Sequence, residues 1–271
     1  MTTKTIAQLF NLTGSTTLVT GGALGIGKAI VDRLSEAGAA VVIADINEKD
    51  SLETVAELQR SGRKVSFIKT DIRNLAEIQA AVDFTVKQYG SLDILVNNAG
   101  IFPFSPALYI DEENWDRVLD INLKGAFFMA QKAAAKMLEG GKGGKIINLA
   151  SIDAFHPTGN LVHYDASKGG IVMLTKSLAL EWSKSSITVN GIAPGGIKTP
   201  GVQQTSASMT KAAGLTPEQI AAMSKTFTAH IPLGRQGEAD EIATVALFLA
   251  SPAASYITGE IIVVDGGYLL G

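Results

Sequence analysis

Apolar residues in this chain fall into short, nearly unbroken runs, separated by longer stretches in which they recur every three or four positions. The short runs are "TTLVT" (16–20), "VVIA" (41–44), "VSFIK" (65–69), "ILVN" (94–97), "KIINLA" (145–150), "TVNGIA" (188–193) and "IIVV" (261–264). A strand covered on both faces, as in a parallel sheet, is apolar nearly throughout, so these read as buried strands. The stretches 25–37, 49–61, 74–89, 112–138, 164–183 and 239–250 read as helices. Such alternation predicts an α/β fold: a Rossmann-like, doubly wound parallel sheet of about seven strands with helices on both faces. No linker, repeat or low-complexity segment divides it, so 1–271 reads as one domain. Residues 199–230, rich in Ser, Thr, Ala, Met and Gln, stand outside the rhythm and read as a substrate lid with a helix starting near Pro217.

Composition narrows the class. With 46% hydrophobic and 18% charged residues, the chain suits a mostly covered sheet. A net charge of −3 without a Lys/Arg block gives no nucleic-acid surface. The absence of cysteine excludes disulfides and thiolate metal sites, and no carboxylate/histidine cluster has metal-ligand spacing. No apolar run at the start suffices for a signal peptide or membrane span, so the expectation is a cytoplasmic protein.

Three stretches carry candidate chemistry. "LVTGGALGIGKAI" runs from the first strand into the first helix through Gly21, Gly22, Gly25 and Gly27, spaced Thr-Gly-x-x-x-Gly-x-Gly. Glycines at such a junction let a pyrophosphate approach the backbone at the positive end of the helix, although they also serve simply to pack helix on strand. Asp45 ends the second strand, where a carboxylate can accept hydrogen bonds from ribose hydroxyls and repel a 2′-phosphate; the alternative is a cap for the helix near Asn47. In "HYDASKGG" (163–170), Tyr164 and Lys168 are four residues apart and share a helix face. An ammonium beside a phenol favours the phenolate, which would fit Tyr164 for proton transfer.

Taken in order, "TGGALGIG", "NNAG" (97–100), "IN" (121–122), Ser151, "YDASK" (164–168), "PGGIKT" (194–199) and "VDGG" (264–267) resemble the short-chain dehydrogenase/reductase family over essentially the whole chain. The resemblance implies hydride transfer between a nicotinamide and a secondary alcohol or ketone. It gives Tyr164 the role of general acid/base. Lys168 would lower the Tyr164 pKa and hold the nicotinamide ribose, Ser151 would bond the reacting oxygen, and Asn122 would position a water in a proton relay. It places Gly21, Gly25, Ile26 and Gly27 at the pyrophosphate, Asp45 at the ribose, and Asp71 and Ile72 at the adenine. Asn98, Ala99 and Gly100 would line the adenosine side, and Pro194, Gly195, Ile197 and Thr199 the nicotinamide side. Without the resemblance, Asp71 would read as an N-cap for the helix at 74, and Ser151 and Asn122 as loop and helix residues bonding their own backbone. Asp45 favours NAD over NADP as cofactor.

The helices 112–138 and 164–183 are apolar over an arc too wide for one sheet face, with Trp115, Val118, Leu119, Leu123, Phe127 and Phe128 in the first. Gly169 and Gly170 would admit another backbone. The family pairs these helices between subunits, so a homotetramer is the expectation, with burial under the lid as the alternative. Substrate contacts are sought at Asp153, His156 and His163. Asp153 either caps the turn before Pro157 or pairs with a histidine, or else receives hydrogen bonds from a polyhydroxylated or cationic alcohol while repelling anionic hydroxy acids. The runner-up function is 3-oxoacyl carrier-protein reductase; Asp45 argues against it, because that activity generally goes with NADP. A catalytically silent NAD-binding protein is a further alternative, opposed by the intact set Asn122, Ser151, Tyr164 and Lys168.

Overall fold

A computed structural model describes residues 3–201, 216, 219 and 225–271. After a short helix α1 (Ile6–Leu9) the chain alternates β1 (Thr16–Thr20), α2 (Gly25–Glu36), β2 (Ala40–Asp45), α3 (Glu48–Arg60), β3 (Val65–Lys69), α4 (Leu75–Tyr89) and β4 (Ile94–Asn97). It continues through α5 (Glu112–Leu119), a π-helical turn (Asp120–Gly125), α6 (Ala126–Gly140), β5 (Gly144–Leu149), α7 (Val162–Trp182) and β6 (Ile187–Pro194). Two short strands, β7 (Ile197–Lys198) and β8 (Gly237–Glu238), precede α8 (Ala239–Ala250) and β9 (Ile261–Val264).

Seven strands form one sheet in the order β3-β2-β1-β4-β5-β6-β9, and every neighbouring pair is parallel. Each parallel pair requires a crossover, and the helices supply it on both faces. Ile30, Val31 and Leu34 of α2 and Ile242, Ala246 and Leu249 of α8 pack with Val19, Ile43 and Val96 on one face. On the other, Ile78 and Val82 of α4, Met129 and Ala133 of α6 and Leu178 of α7 pack with Leu18, Val42 and Leu95. Burial on both faces is why the strands read as unbroken apolar runs. The strand order reverses beside β1, so a crevice opens at the carboxyl ends of β1 and β4, the usual ligand position in such sheets.

The expected elements form within one or two residues of their anticipated ends, with one correction. The stretch 112–138 is not a continuous helix: hydrogen bonding shifts to the wider π pattern over Asp120–Gly125, and Asn122 sits buried inside that turn. The side chain of Asn122 donates to the Ile101 carbonyl and accepts from the Ile101 N–H, both at 2.8 Å, which ties the turn to the loop after β4. The helix expected near Pro217, and most of the segment 199–230, lie outside the described residues. The β7–β8 pair joins the chain on either side of that segment through Ile197–Gly237 and Lys198–Glu238.

Candidate active site

The turn after β1 is shaped for close backbone approach. Gly21 and Gly25 have φ of +66° and +57°, and a Cβ on Gly27 would lie 2.0 Å from the Gly21 carbonyl oxygen, so no side chain fits there. Leu24 is the N-cap residue of α2 and gives no side-chain cap. The first N–H groups of α2, at Gly25, Ile26 and Gly27, therefore retain the donor capacity and partial positive charge that suit a pyrophosphate. Thr199 closes over this turn, its Cβ 3.3 Å from where a Gly25 side chain would begin.

Asp45 stands at the end of β2, beside the turn. Its Oδ2 accepts the Ala23 N–H at 3.0 Å and its Oδ1 the Asn47 N–H at 2.9 Å. It does not cap α3; Asn47 does, accepting from the Asp50 N–H. Asp71, after β3, likewise leaves helix capping to Asn74 and forms a two-pronged ion pair with Arg73, Nε to Oδ1 at 3.0 Å. That pairing holds its carboxyl below the usual range. Ile72 is buried beside it. Asn98 donates from Nδ2 to the carbonyls of Thr20 and Gly21, and the Thr20 hydroxyl accepts the N–H groups of Asn98 and Ala99. Gly100 follows in the same loop. Pro194 ends β6, Gly195 follows, and Ile197 is buried in β7.

At the ends of β4 and β5 the expected catalytic set converges. Lys168 Nζ lies 5.7 Å from the Tyr164 ring centroid, as four-residue spacing requires, and donates to the Leu149 carbonyl at 2.6 Å. Asn122 donates to Ser167 Oγ at 3.0 Å, one residue before Lys168. Phe102 packs edge-on against the Tyr164 ring at 6.0 Å. Ser151 donates to Asp153 Oδ2 at 2.8 Å, and Thr158 donates to Asp153 Oδ1 at 2.8 Å.

Burial dominates the electrostatics of both Tyr164 and Lys168. Burial drives the Tyr164 phenol above its ordinary range; Ser151 pulls it back, while Asp153 and Asp165 push it further up. Burial lowers the Lys168 amine in turn, to about 8. Asp165 is pushed up to about 6, by burial first and the Asp153 charge second, and its Oδ1 is buried without a hydrogen-bond partner.

The two histidines have different surroundings, and Asp153 pairs with neither. His163 is fully buried against α5, its Nε2 3.4 Å from Asn114 Nδ2, and burial pushes its imidazole down. It is adjacent to Tyr164 in sequence, yet one step along a helix turns it about 100° away, so it does not line the substrate side. His156 is exposed and faces the Tyr268 ring edge-on at 6.2 Å; Tyr268 in turn packs on Phe227 at 5.7 Å. Asp153 bonds Ser151 and Thr158 rather than a histidine. Among the described residues, no group of three His, Cys, Asp or Glu is placed to hold a metal, and no helix is long and apolar enough to cross a membrane.

Residues 21–269 match the family described as enoyl-(acyl carrier protein) reductase. The chain is also 38% identical over 264 residues to 2-dehydro-3-deoxy-D-gluconate 5-dehydrogenase of Dickeya dadantii, covering 97% of this chain and 99% of that one. It belongs to the short-chain dehydrogenases/reductases. An NAD-dependent glycerol dehydrogenase of Listeria innocua is 39% identical over 270 residues, covering 100% of both chains. Gluconate 5-dehydrogenase of Burkholderia cenocepacia, solved with NADP and tartrate, superposes with a TM-score of 0.88 at 33% identity over 98% of this chain and 100% of that one. As a short-chain dehydrogenase/reductase, the protein is an oxidoreductase of CH–OH groups that works with a nicotinamide cofactor.

Within that family frame, sequence reasoning missed Asp165 and Phe102. A carboxylate next to the tyrosine in "YDASK", matched by one at 153, is the signal that could have exposed Asp165; Phe102 has none, since it reaches Tyr164 from a loop more than sixty positions away.

Proposed function

We propose that the protein is an NAD-preferring dehydrogenase of a small, neutral secondary alcohol, a polyol by preference, running between the alcohol and its ketone. The convergence of Ser151, Tyr164, Lys168 and Asn122 at the ends of β4 and β5 carries this reading. The nicotinamide, when bound, takes up or returns the hydride. Tyr164 accepts the hydroxyl proton during oxidation and returns it during reduction. Ser151 bonds the reacting oxygen. Lys168, with its amine near pH 8, exchanges protons close to neutrality and hands them outward past Asn122. Gly21, Gly25, Ile26 and Gly27 would hold the pyrophosphate, Asp71 and Ile72 the adenine, Asn98, Ala99 and Gly100 the adenosine, and Pro194, Gly195, Ile197 and Thr199 the nicotinamide side.

Two observations support the finer points. Asp45 is held at the end of β2 by two backbone N–H groups, and a carboxylate fixed beside an adenosine ribose would oppose a 2′-phosphate; the same residue opposes the carrier-protein reductase reading. Asp153 and Asp165 put negative charge beside Tyr164, which favours a neutral substrate over a hydroxy acid. Glycerol-type polyols and their matched carboxylates, each supplied with NAD and with NADP and followed by nicotinamide absorbance, test both. Preference for the carboxylates would overturn the substrate assignment, and equal use of both cofactors would overturn the cofactor assignment.

We also propose a cytoplasmic homotetramer. Leu119, Leu123 and Phe127 line an apolar groove with Gly170, Met173 and Leu174 of α7, and Met173 and Leu180 are 61% and 81% exposed. A Cβ on Gly170 would meet Leu123 at 2.7 Å, so that glycine serves packing inside the chain, while Gly169 faces open space. Light scattering at two protein concentrations tests the assembly.

A further inference from the structure

Ser151 has one hydroxyl proton, and two groups have a claim on it. In this structure the proton goes to Asp153 Oδ2 at 2.8 Å, and the Asp153 N–H returns a bond to Ser151 Oγ at 3.2 Å. The other carboxylate oxygen is held by Thr158 at 2.8 Å, so Asp153 is fixed from both sides and aimed at Ser151. A carboxylate is a stronger acceptor than a neutral phenol or a ketone oxygen. We propose that Asp153 is a positioning residue that claims the Ser151 proton, so that Ser151 meets Tyr164 and the reacting oxygen as a hydrogen-bond acceptor until that claim is released. This rests on the reading of Tyr164 as general acid/base.

The consequence follows from counting donors. A hydrogen bond from Ser151 favours the Tyr164 phenolate, and in this structure the Ser151 proton is directed to Asp153 instead. Asp153 therefore favours the protonated phenol twice over, by occupying the Ser151 proton and by its own charge. The charged groups facing Tyr164 are Asp153, from the loop after β5, and Asp165 and Lys168, from α7. From the π turn, Asn122 is neutral; from α5, Arg117 acts on the buried His163, and His156 faces Tyr268. Asp165 supplies a built-in control, since it acts on Tyr164 by charge but makes no bond to Ser151.

The test compares Asp153→Asn, Asp165→Asn and Thr158→Val with the wild type. The first readout is the pH dependence of kcat/KM for alcohol oxidation with NAD. The second needs no substrate: tyrosinate absorbance is titrated in each protein against its counterpart carrying Tyr164→Phe. Asp153→Asn should move both the acid limb and the titration down by about one pH unit, further than Asp165→Asn does. Thr158→Val, which leaves Asp153 in place but removes its other donor, should tighten the claim on Ser151 and move both slightly upward. A limb and titration for Asp153→Asn that superpose on the wild type, or move no further than those of Asp165→Asn, would overturn the proposal. If no alcohol is oxidised by any of the proteins, the functional reading fails, while the titration still judges Asp153.

Discussion

The sheet edge proposed to hold the cofactor and the rim proposed to face the substrate are held together by different kinds of contact. Along the cofactor edge, polar side chains bond mainly to main chain: Asp45 to the N–H groups of Ala23 and Asn47, Asn98 to two carbonyls, Thr20 to two N–H groups. At the rim, side chain bonds side chain: Ser151 to Asp153, Thr158 to Asp153, His156 against Tyr268, Tyr268 against Phe227. Main-chain partners are present whatever the neighbouring residue types, so these bonds do not depend on a second side chain. Each rim contact needs two particular side chains at once, and one substitution re-forms it.

The largest expected effect falls where the two regions meet. Tyr164→Phe should lower turnover by ~10²–10⁴-fold while leaving NAD affinity, measured by fluorescence titration, nearly unchanged. A parallel loss of NAD affinity would show that the rim also holds the cofactor, and the comparison would break. Next comes Gly27→Ala, whose Cβ would fall 2.0 Å from the Gly21 oxygen. It should cost about 2–4 kcal/mol in denaturant titrations and abolish thermal protection by NAD. Asp45→Ala should narrow the preference for NAD over NADP by roughly 10-fold in kcat/KM, through loss of charged hydrogen bonds and of repulsion. An unchanged ratio would remove Asp45 as the selector.

The smallest effect belongs to Asp165, a rim carboxylate raised to about 6 in the folded protein. Its folded pKa lies above the unfolded value, so the folded state binds more protons between about pH 4 and 6 and loses stability as pH rises through that window. Asp165→Asn removes that penalty. Discounted for partial exposure, it should stabilise the protein by about 1 kcal/mol at pH 7, or about 2–4 °C in Tm, with the gain vanishing near pH 4. Equal melting temperatures at both pH values would mean that Asp165 stays solvated.

The legibility of the sequence follows the same division. The strands were readable because burial on both faces forces continuous apolar runs, and the glycine turn because backbone crowding admits no other residue at Gly27. Asn122, Ser151, Tyr164 and Lys168 stand out as candidates because the order of motifs follows the carboxyl ends of successive strands. The π turn was not, since 112–138 keeps one apolar periodicity across it; the break is made by the Ile101 backbone bonding Asn122 from outside the helix. His163 misled because sequence adjacency to Tyr164 is not spatial adjacency on a helix. The pairing of Asp153 with Ser151 and Thr158 depends on the rotamers of three side chains, which no periodicity encodes.

The π turn has a consequence for how this chain can lengthen or shorten. A wide turn holds one residue more than α-helical hydrogen bonding would need over the same path. Deleting a single residue within 120–125 would let α5 and α6 run on as one continuous α-helix over the same path. Val118 of α5 and Met129, Ala130 and Ala133 of α6 are all buried in fixed directions, and the wide turn absorbs its extra residue without turning them. What such a deletion would remove is the bulge that turns Asn122 onto the Ile101 backbone; this stretch should accept substitutions on its exposed side, whereas Asn122 and Gly125, where a Cβ would fall 2.8 Å from the Ile72 oxygen, should not change.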